Sequence, residues 1–225
     1  MMKRILIVVM ALTMALGLSL PVLAENIGNV DQSGINNDAV IDQVDTSIDN
    51  EAYIVQSGNN NDASIHQVDE SNYASVNQSG DENEAHQTQS GNNNDASISQ
   101  GFGDGNYASQ TQAGETNIAD ILQEGNGNIA AQDQLGDLNF ASISQPGNSN
   151  IADQFQHGLS NEATILQGGD GNTAIQNQVG DENHAHADQS GSNNYLSQLQ
   201  MGDGHNSTVN QSGSLNTALV TQTNP

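Results

Sequence analysis

Asn128-Ile129-Ala130-Ala131-Gln132-Asp133-Gln134-Leu135-Gly136-Asp137-Leu138 is followed at once by Asn139-Phe140-Ala141-Ser142-Ile143-Ser144-Gln145-Pro146-Gly147-Asn148-Ser149. Both halves obey Asn-x-Ala-x-x-x-Gln-x-Gly-x-x, with specified residues at offsets 0, 2, 4 and 6. A spacing of two places every specified side chain on one face of a β-strand. The segment after each Gln is rich in Gly, Asn, Asp and Ser, residues that favour tight reversals. One unit therefore predicts one strand of about seven residues and one short arc.

The pattern extends over the rest of the chain from Asn26. Its Gln position is filled eighteen times, at Gln32, Gln43, Gln56, Gln67, Gln78, Gln89, Gln100, Gln112, Gln123, Gln134, Gln145, Gln156, Gln167, Gln178, Gln189, Gln200, Gln211 and Gln222. After Asn26, its Asn position is filled by Asn37, Asn50, Asn61, Asn72, Asn83, Asn94, Asn106, Asn117, Asn128, Asn139, Asn150, Asn161, Asn172, Asn183, Asn194 and Asn216, and only His205 departs. Gly28, Leu196 and Ser207 depart from Ala. Extra residues break the spacing between Ser47 and Asn50 and within Gly101 to Gly105.

Offset 4 reveals a doubled period. Odd units carry Val30, Ile54, Val76, Ile98, Ile121, Ile143, Ile165, Ala187 and Val209 there. Even units carry Ile41 and Ile65, then Gln87, Gln110, Gln132, Gln154, Gln176 and Gln198, and finally Val220. The expected fold is an all-β solenoid of nine two-strand coils, cross-β in character, with layers about 4.7–4.8 Å apart. Within a coil the second strand should run back across the first, so that offset 2 faces offset 4. Ala187 is the small exception at offset 4, and its expected partner Leu196 is the large exception at offset 2, which conserves core volume. The buried Gln and Asn should be satisfied by amide ladders between layers, each side chain donating to one neighbour and accepting from the other.

Composition narrows the function. Residues 1–24 carry Lys3 and Arg4 before an apolar run and read as a signal peptide cleaved after Ala24, leaving 25–225 as the exported repeat region. Those two are the only Lys or Arg, against 27 Asp and Glu, so the mature surface repels nucleic acid and anionic headgroups. Membrane insertion of the mature chain is not expected, nor is a cofactor. Cysteine is absent, so no disulfide or thiolate metal site contributes. Aligned acidic arcs such as Asp81-Glu82 and Asp181-Glu182 should repel one another, so acid should favour stacking. His184, His186 and Asp188 alternate along one strand, but a metal site there is set aside, and no catalytic residue is assigned. The Gly-Asp-Gly turns at Gly103, Gly169 and Gly202 lack the tandem nine-residue repeat of calcium-binding rolls.

Repeats such as Asn94-Asp95-Ala96-Ser97-Ile98-Ser99-Gln100-Gly101 and Asn72-Tyr73-Ala74-Ser75-Val76-Asn77-Gln78 resemble the curlin repeats of bacterial curli fibre subunits, major or minor, and look closer to the minor, nucleating curlin than to the major one. The resemblance implies a non-enzymatic subunit of an extracellular amyloid fibre in cell adhesion and biofilm matrix. It also implies other curlin subunits, a dedicated outer-membrane secretion channel and chaperones as partners. The repeat continues in register to both ends without divergent caps, which predicts open head-to-tail growth. The competing reading is a monomeric secreted solenoid binder, of the ice-binding or calcium-binding type. Against it, the outward offset-1 column Asp38, Asp62, Glu84, Tyr107, Ile129, Ile151, Thr173, Tyr195, Thr217 is irregular.

Overall fold

The computed structural model describes residues 25–44 and 48–224. The proposed signal peptide, 1–24, lies outside the described residues, as does part of the first irregular spacing. Eighteen strands alternate between two nine-stranded sheets. The odd sheet contains β1 (Ile27–Ile35), β3 (Glu51–Asn59), β5 (Tyr73–Ser79), β7 (Asp95–Gln100), β9 (Ile118–Gln123), β11 (Phe140–Gln145), β13 (Glu162–Gln167), β15 (His184–Ser192) and β17 (Asn206–Ser214). The even sheet contains β2 (Asp38–Gln43), β4 (Asp62–Val68), β6 (Glu84–Ser90), β8 (Tyr107–Ala113), β10 (Ile129–Asp137), β12 (Ile151–Leu159), β14 (Thr173–Val179), β16 (Tyr195–Met201) and β18 (Thr217–Thr223).

Each strand pairs in parallel with the strand one coil away, and like residues oppose like: Ala130 meets Ala152, and Gln134 meets Gln156. The result is the β-solenoid of nine coils that the doubled period predicts. Both insertions fall between strands. Gln32 meets Gln56 and Gln100 meets Gln123, so strand register survives the added residues.

Alternation in sequence becomes alternation in burial. In β10, Ala130, Gln132 and Gln134 are buried while Ile129 is exposed. The core is one thin cluster between the sheets, with alanines from both and Ile54, Val76, Ile98, Ile121, Ile143 and Ile165 from the odd sheet. A Cβ added to Gly28 would sit 3.5 Å from Ile41 Cγ2, which places offset 2 against offset 4 across the core. Ala187 and Leu196 are both fully buried in this cluster, on the two strands of one coil, β15 and β16.

The arcs hold two left-handed residues in many coils. Gly136 has φ 114° and Leu138 has φ 58°. Glycines also stack on glycines, and a Cβ on Gly136 would drive into the carbonyl oxygen of Gly158. The glycine column thus answers both to backbone conformation and to the closeness of the next layer.

Candidate functional site: amide ladders and sheet edges

Three columns of Gln run along the core. In the odd sheet, each Nε2 from Gln32 to Gln189 donates to the Oε1 of the next Gln, ending at Gln211, at 2.6–3.0 Å. In the even sheet the column runs from Gln43 to Gln222 at 2.8–2.9 Å. The second amide hydrogen crosses to the opposite sheet, as where Gln134 donates to Ile118 O at 2.9 Å. Each Gln therefore ties layer to layer and sheet to sheet. All donors point toward the C-terminal coil, so the columns have a direction.

The third column, Gln87 to Gln198, is shorter. Its first acceptor, Gln87 Oε1, is buried with no hydrogen-bond partner, because the layer before it carries Ile65. Its last donor, Gln198 Nε2, turns to Ser207 Oγ at 2.9 Å, because the layer after it carries Val220. Ser207 breaks the Ala pattern and supplies that acceptor. Ser207→Ala restores the repeat yet is expected to lower stability by about 1 kcal/mol, since it leaves one buried amide hydrogen only the longer contact to the residue 207 carbonyl, at 3.4 Å. The denaturant midpoint of the folded chain measures it, and an unchanged or raised midpoint would remove the role given to Ser207.

The Asn residues depart from simple amide-to-amide stacking. Asn128 Oδ1 accepts the backbone N–H of Asn150 at 2.9 Å, and Asn150 Nδ2 donates to the carbonyl of Gly169 in the following arc at 2.7 Å. The same pair of bonds recurs along both sheets, for example at Asn161 with Asn139 Oδ1 and Gly180 O. Only some Asn, such as Asn161 to Asn139 at 3.0 Å, add an amide-to-amide bond. The reason is position and length. Asn sits where the arc enters the strand, and its short side chain reaches main-chain groups of adjacent coils. His205 fits the same column because it needs only its backbone N–H to reach Asn183 Oδ1, at 3.0 Å.

The arc acids also differ from the expectation of mutual repulsion alone. Asp81 Oδ1 accepts Asn59 N–H at 2.8 Å and Asp181 Oδ1 accepts Leu159 N–H at 2.9 Å, each binding the preceding coil. The carboxyl groups held above the ordinary value of 3.8 lie on the strands: Asp62, Asp95, Asp120, Asp133 and Asp153. Desolvation is the main cause in each, reinforced by Asp38 at Asp62, by Asp95 at Asp120 and by Asp153 at Asp133. The folded chain then binds more protons than the unfolded chain. This contribution is full below about pH 4 and lost as pH rises through the raised values. The folded chain should therefore resist denaturant better at about pH 4.5 than at about pH 7. A midpoint that falls on acidification would contradict it.

Outside the core, the even sheet brings a base beside a nucleophile, a juxtaposition that strand spacing alone does not disclose. Ser64 Oγ lies 2.7 Å from His86 Nδ1, and His86 Nε2 lies 2.7 Å from Glu84 Oε1. The three stand on the open outer face of β4 and β6, where neighbouring main-chain N–H groups are engaged in strand pairing. An oxyanion needs preorganised donors of that kind, and here the pairing of β4 with β6 already uses them. His184 Nδ1 lies 3.1 Å from Glu162 Oε2 on the neighbouring strand, while His186 and Asp188 continue along β15. Among the described residues no group of three His, Cys, Asp or Glu is placed to hold a metal ion.

The remaining feature with consequences is the pair of sheet edges. The odd sheet is bounded by β1 and β17, the even sheet by β2 and β18. Interior side chains that are fully buried elsewhere are only partly buried there: Val30, Ala39, Ile41, Val209 and Ala218. A family model described as the curlin associated repeat matches residues 49–68, 70–101 and 199–223. No curated protein matches the chain. The unmatched stretch from 102 to 198 builds the same strands, in register with the matched ones.

Proposed function

We propose that the chain, which carries curlin associated repeats, is a structural subunit which polymerises head to tail into an extracellular curli-type amyloid fibre. The observation that carries this reading is the match between the two ends of the solenoid. The coil formed by β17 and β18 carries Val209, Gln211, Ala218, Val220 and Gln222 where the coil formed by β1 and β2 carries Val30, Gln32, Ala39, Ile41 and Gln43, and every Gln-to-Gln bond runs from the first coil toward the last. Stacking the last coil of one copy on the first coil of the next extends both sheets and both full Gln columns. Open sheet edges that complement each other favour linear growth rather than a closed ring.

The Gln and Asn columns are the residues that specify this stacking, since an amide ladder is complete only when a layer lies on each side. Export through residues 1–24, passage through a curli-type secretion channel with its chaperones, and a role in adhesion and biofilm matrix follow from the same reading. So does the absence of enzymatic chemistry. Incubating the purified mature chain decides the matter by thioflavin fluorescence and electron microscopy. Unbranched fibres that seed fresh protein are expected. A chain that stays monomeric and folded would favour the solenoid-binder alternative.

A further inference from the structure

The two end coils share one departure from most of the interior. In the even-sheet offset-4 column, six successive layers carry Gln, but the outermost layers carry Ile41 and Ile65 at one end and Val220 at the other. The odd-sheet edge strands carry Val30 and Val209 at the same offset. The polar column is therefore closed off before it reaches either face. Closing it leaves Gln87 Oε1 buried and unpaired at one end. At the other end it diverts Gln198 Nε2 sideways to Ser207 Oγ. A continuous Gln column would have had neither irregularity inside the chain.

We infer that the two terminal coils form a dedicated subunit junction whose centre is aliphatic, with Val220 of one copy seated on Ile41 of the next and Val209 on Val30. The inference rests on the head-to-tail reading and gives it a chemical division of labour. At the free end of a monomer, water satisfies an exposed Gln amide, and docking must strip that water away. Valine and isoleucine lose nothing on docking and gain burial. The two flanking Gln columns cross the junction instead. Gln211 and Gln222 present donors to Gln32 and Gln43, which fixes register and direction. Adhesion comes from the centre and polarity from the flanks. The partner is a second copy of this chain, bound in one orientation.

Two measurements test it. The chain contains no cysteine, so introduced thiols report contacts without background. Parallel in-register layers about 4.8 Å apart lie within disulfide reach. Fibres grown from mixed Ile41→Cys and Val220→Cys chains, oxidised and dissolved in denaturant without reductant, should yield a covalent dimer. Neither variant alone should do so. Separately, Val220→Gln should raise the soluble concentration in equilibrium with fibres by about tenfold, because docking strands the new amide against Ile41. Wild-type chains that form no fibres would overturn the head-to-tail reading itself. Wild-type fibres with no mixed dimer, or with dimers from Ile41→Cys alone, would overturn the pairing. Mixed dimers with Val220→Gln assembling at the wild-type concentration would overturn the aliphatic junction.

Discussion

Gly136→Ala is expected to abolish stable stacking, while Gly168→Ala leaves it unchanged and Gly105→Ala falls between. The three positions separate two demands that glycine meets here. At Gly168 the backbone is ordinary and nothing lies within 4 Å of an added Cβ, so alanine is tolerated. At Gly105 the space is also open but φ is 65°, so alanine pays about 1 kcal/mol for a left-handed conformation. At Gly136, φ is 114° and the added Cβ collides with the Gly158 carbonyl, a main-chain atom that cannot turn aside. Relief there requires the two arcs to separate, which would break main-chain bonds such as Ser160 N–H to Asp137 O, at 3.0 Å. The cost should exceed about 3 kcal/mol, comparable to the larger single-substitution effects. Denaturant midpoints and fibre yield for the three variants provide the comparison. Equal losses at Gly136 and Gly105 would show that conformation alone governs the glycine column.

How much of this was legible in the sequence depends on whether a feature repeats. The strands, the two-strand coil and the parallel register follow from side chains at alternate positions and from the Ile-to-Gln alternation at offset 4. The Ala187–Leu196 exchange was visible because both residues break the pattern in opposite senses. Features set by the third dimension were not legible. Nothing in the chain announces that Leu138 and Thr116 adopt φ of 58° and 59°, because their conformation is imposed by the stacking of arcs. Analogy with Gln suggests an amide ladder for Asn, yet with one fewer methylene its Oδ1 takes the next Asn N–H and its Nδ2 reaches a glycine carbonyl. Ser207 departs from Ala in the sequence, but only the register shows that it serves Gln198, whose next layer carries Val220. The Ser64–His86–Glu84 row joins residues on β4 and β6, one coil apart, and needs the register to be known before it can be seen.

Gln134→Ala should cost more than any outward polar substitution, and the geometry sets the scale. Gln134 is fully buried. It accepts from Gln112 Nε2 and donates to Gln156 Oε1, both at 2.9 Å, and donates to Ile118 O at 2.9 Å. Truncation removes a partner from three groups that stay behind, two of them buried side chains. An unsatisfied buried group costs about 1–3 kcal/mol, so the loss should total on the order of 3–5 kcal/mol once partial relaxation is allowed. Asn77, outward and exposed on β5, should do little when changed to alanine. The ladder also predicts coupling. Gln134 and Gln156 share one bond, so Gln134→Ala and Gln156→Ala together should cost less than the sum of the singles, by roughly 1 kcal/mol or more. Gln134→Ala and Gln200→Ala, three layers apart in the same column, should simply add. Denaturant midpoints for the singles and both doubles test the assignment. Additivity for the neighbouring pair would mean that the amides act as separate buried groups, and that the column does not behave as a chain of bonds.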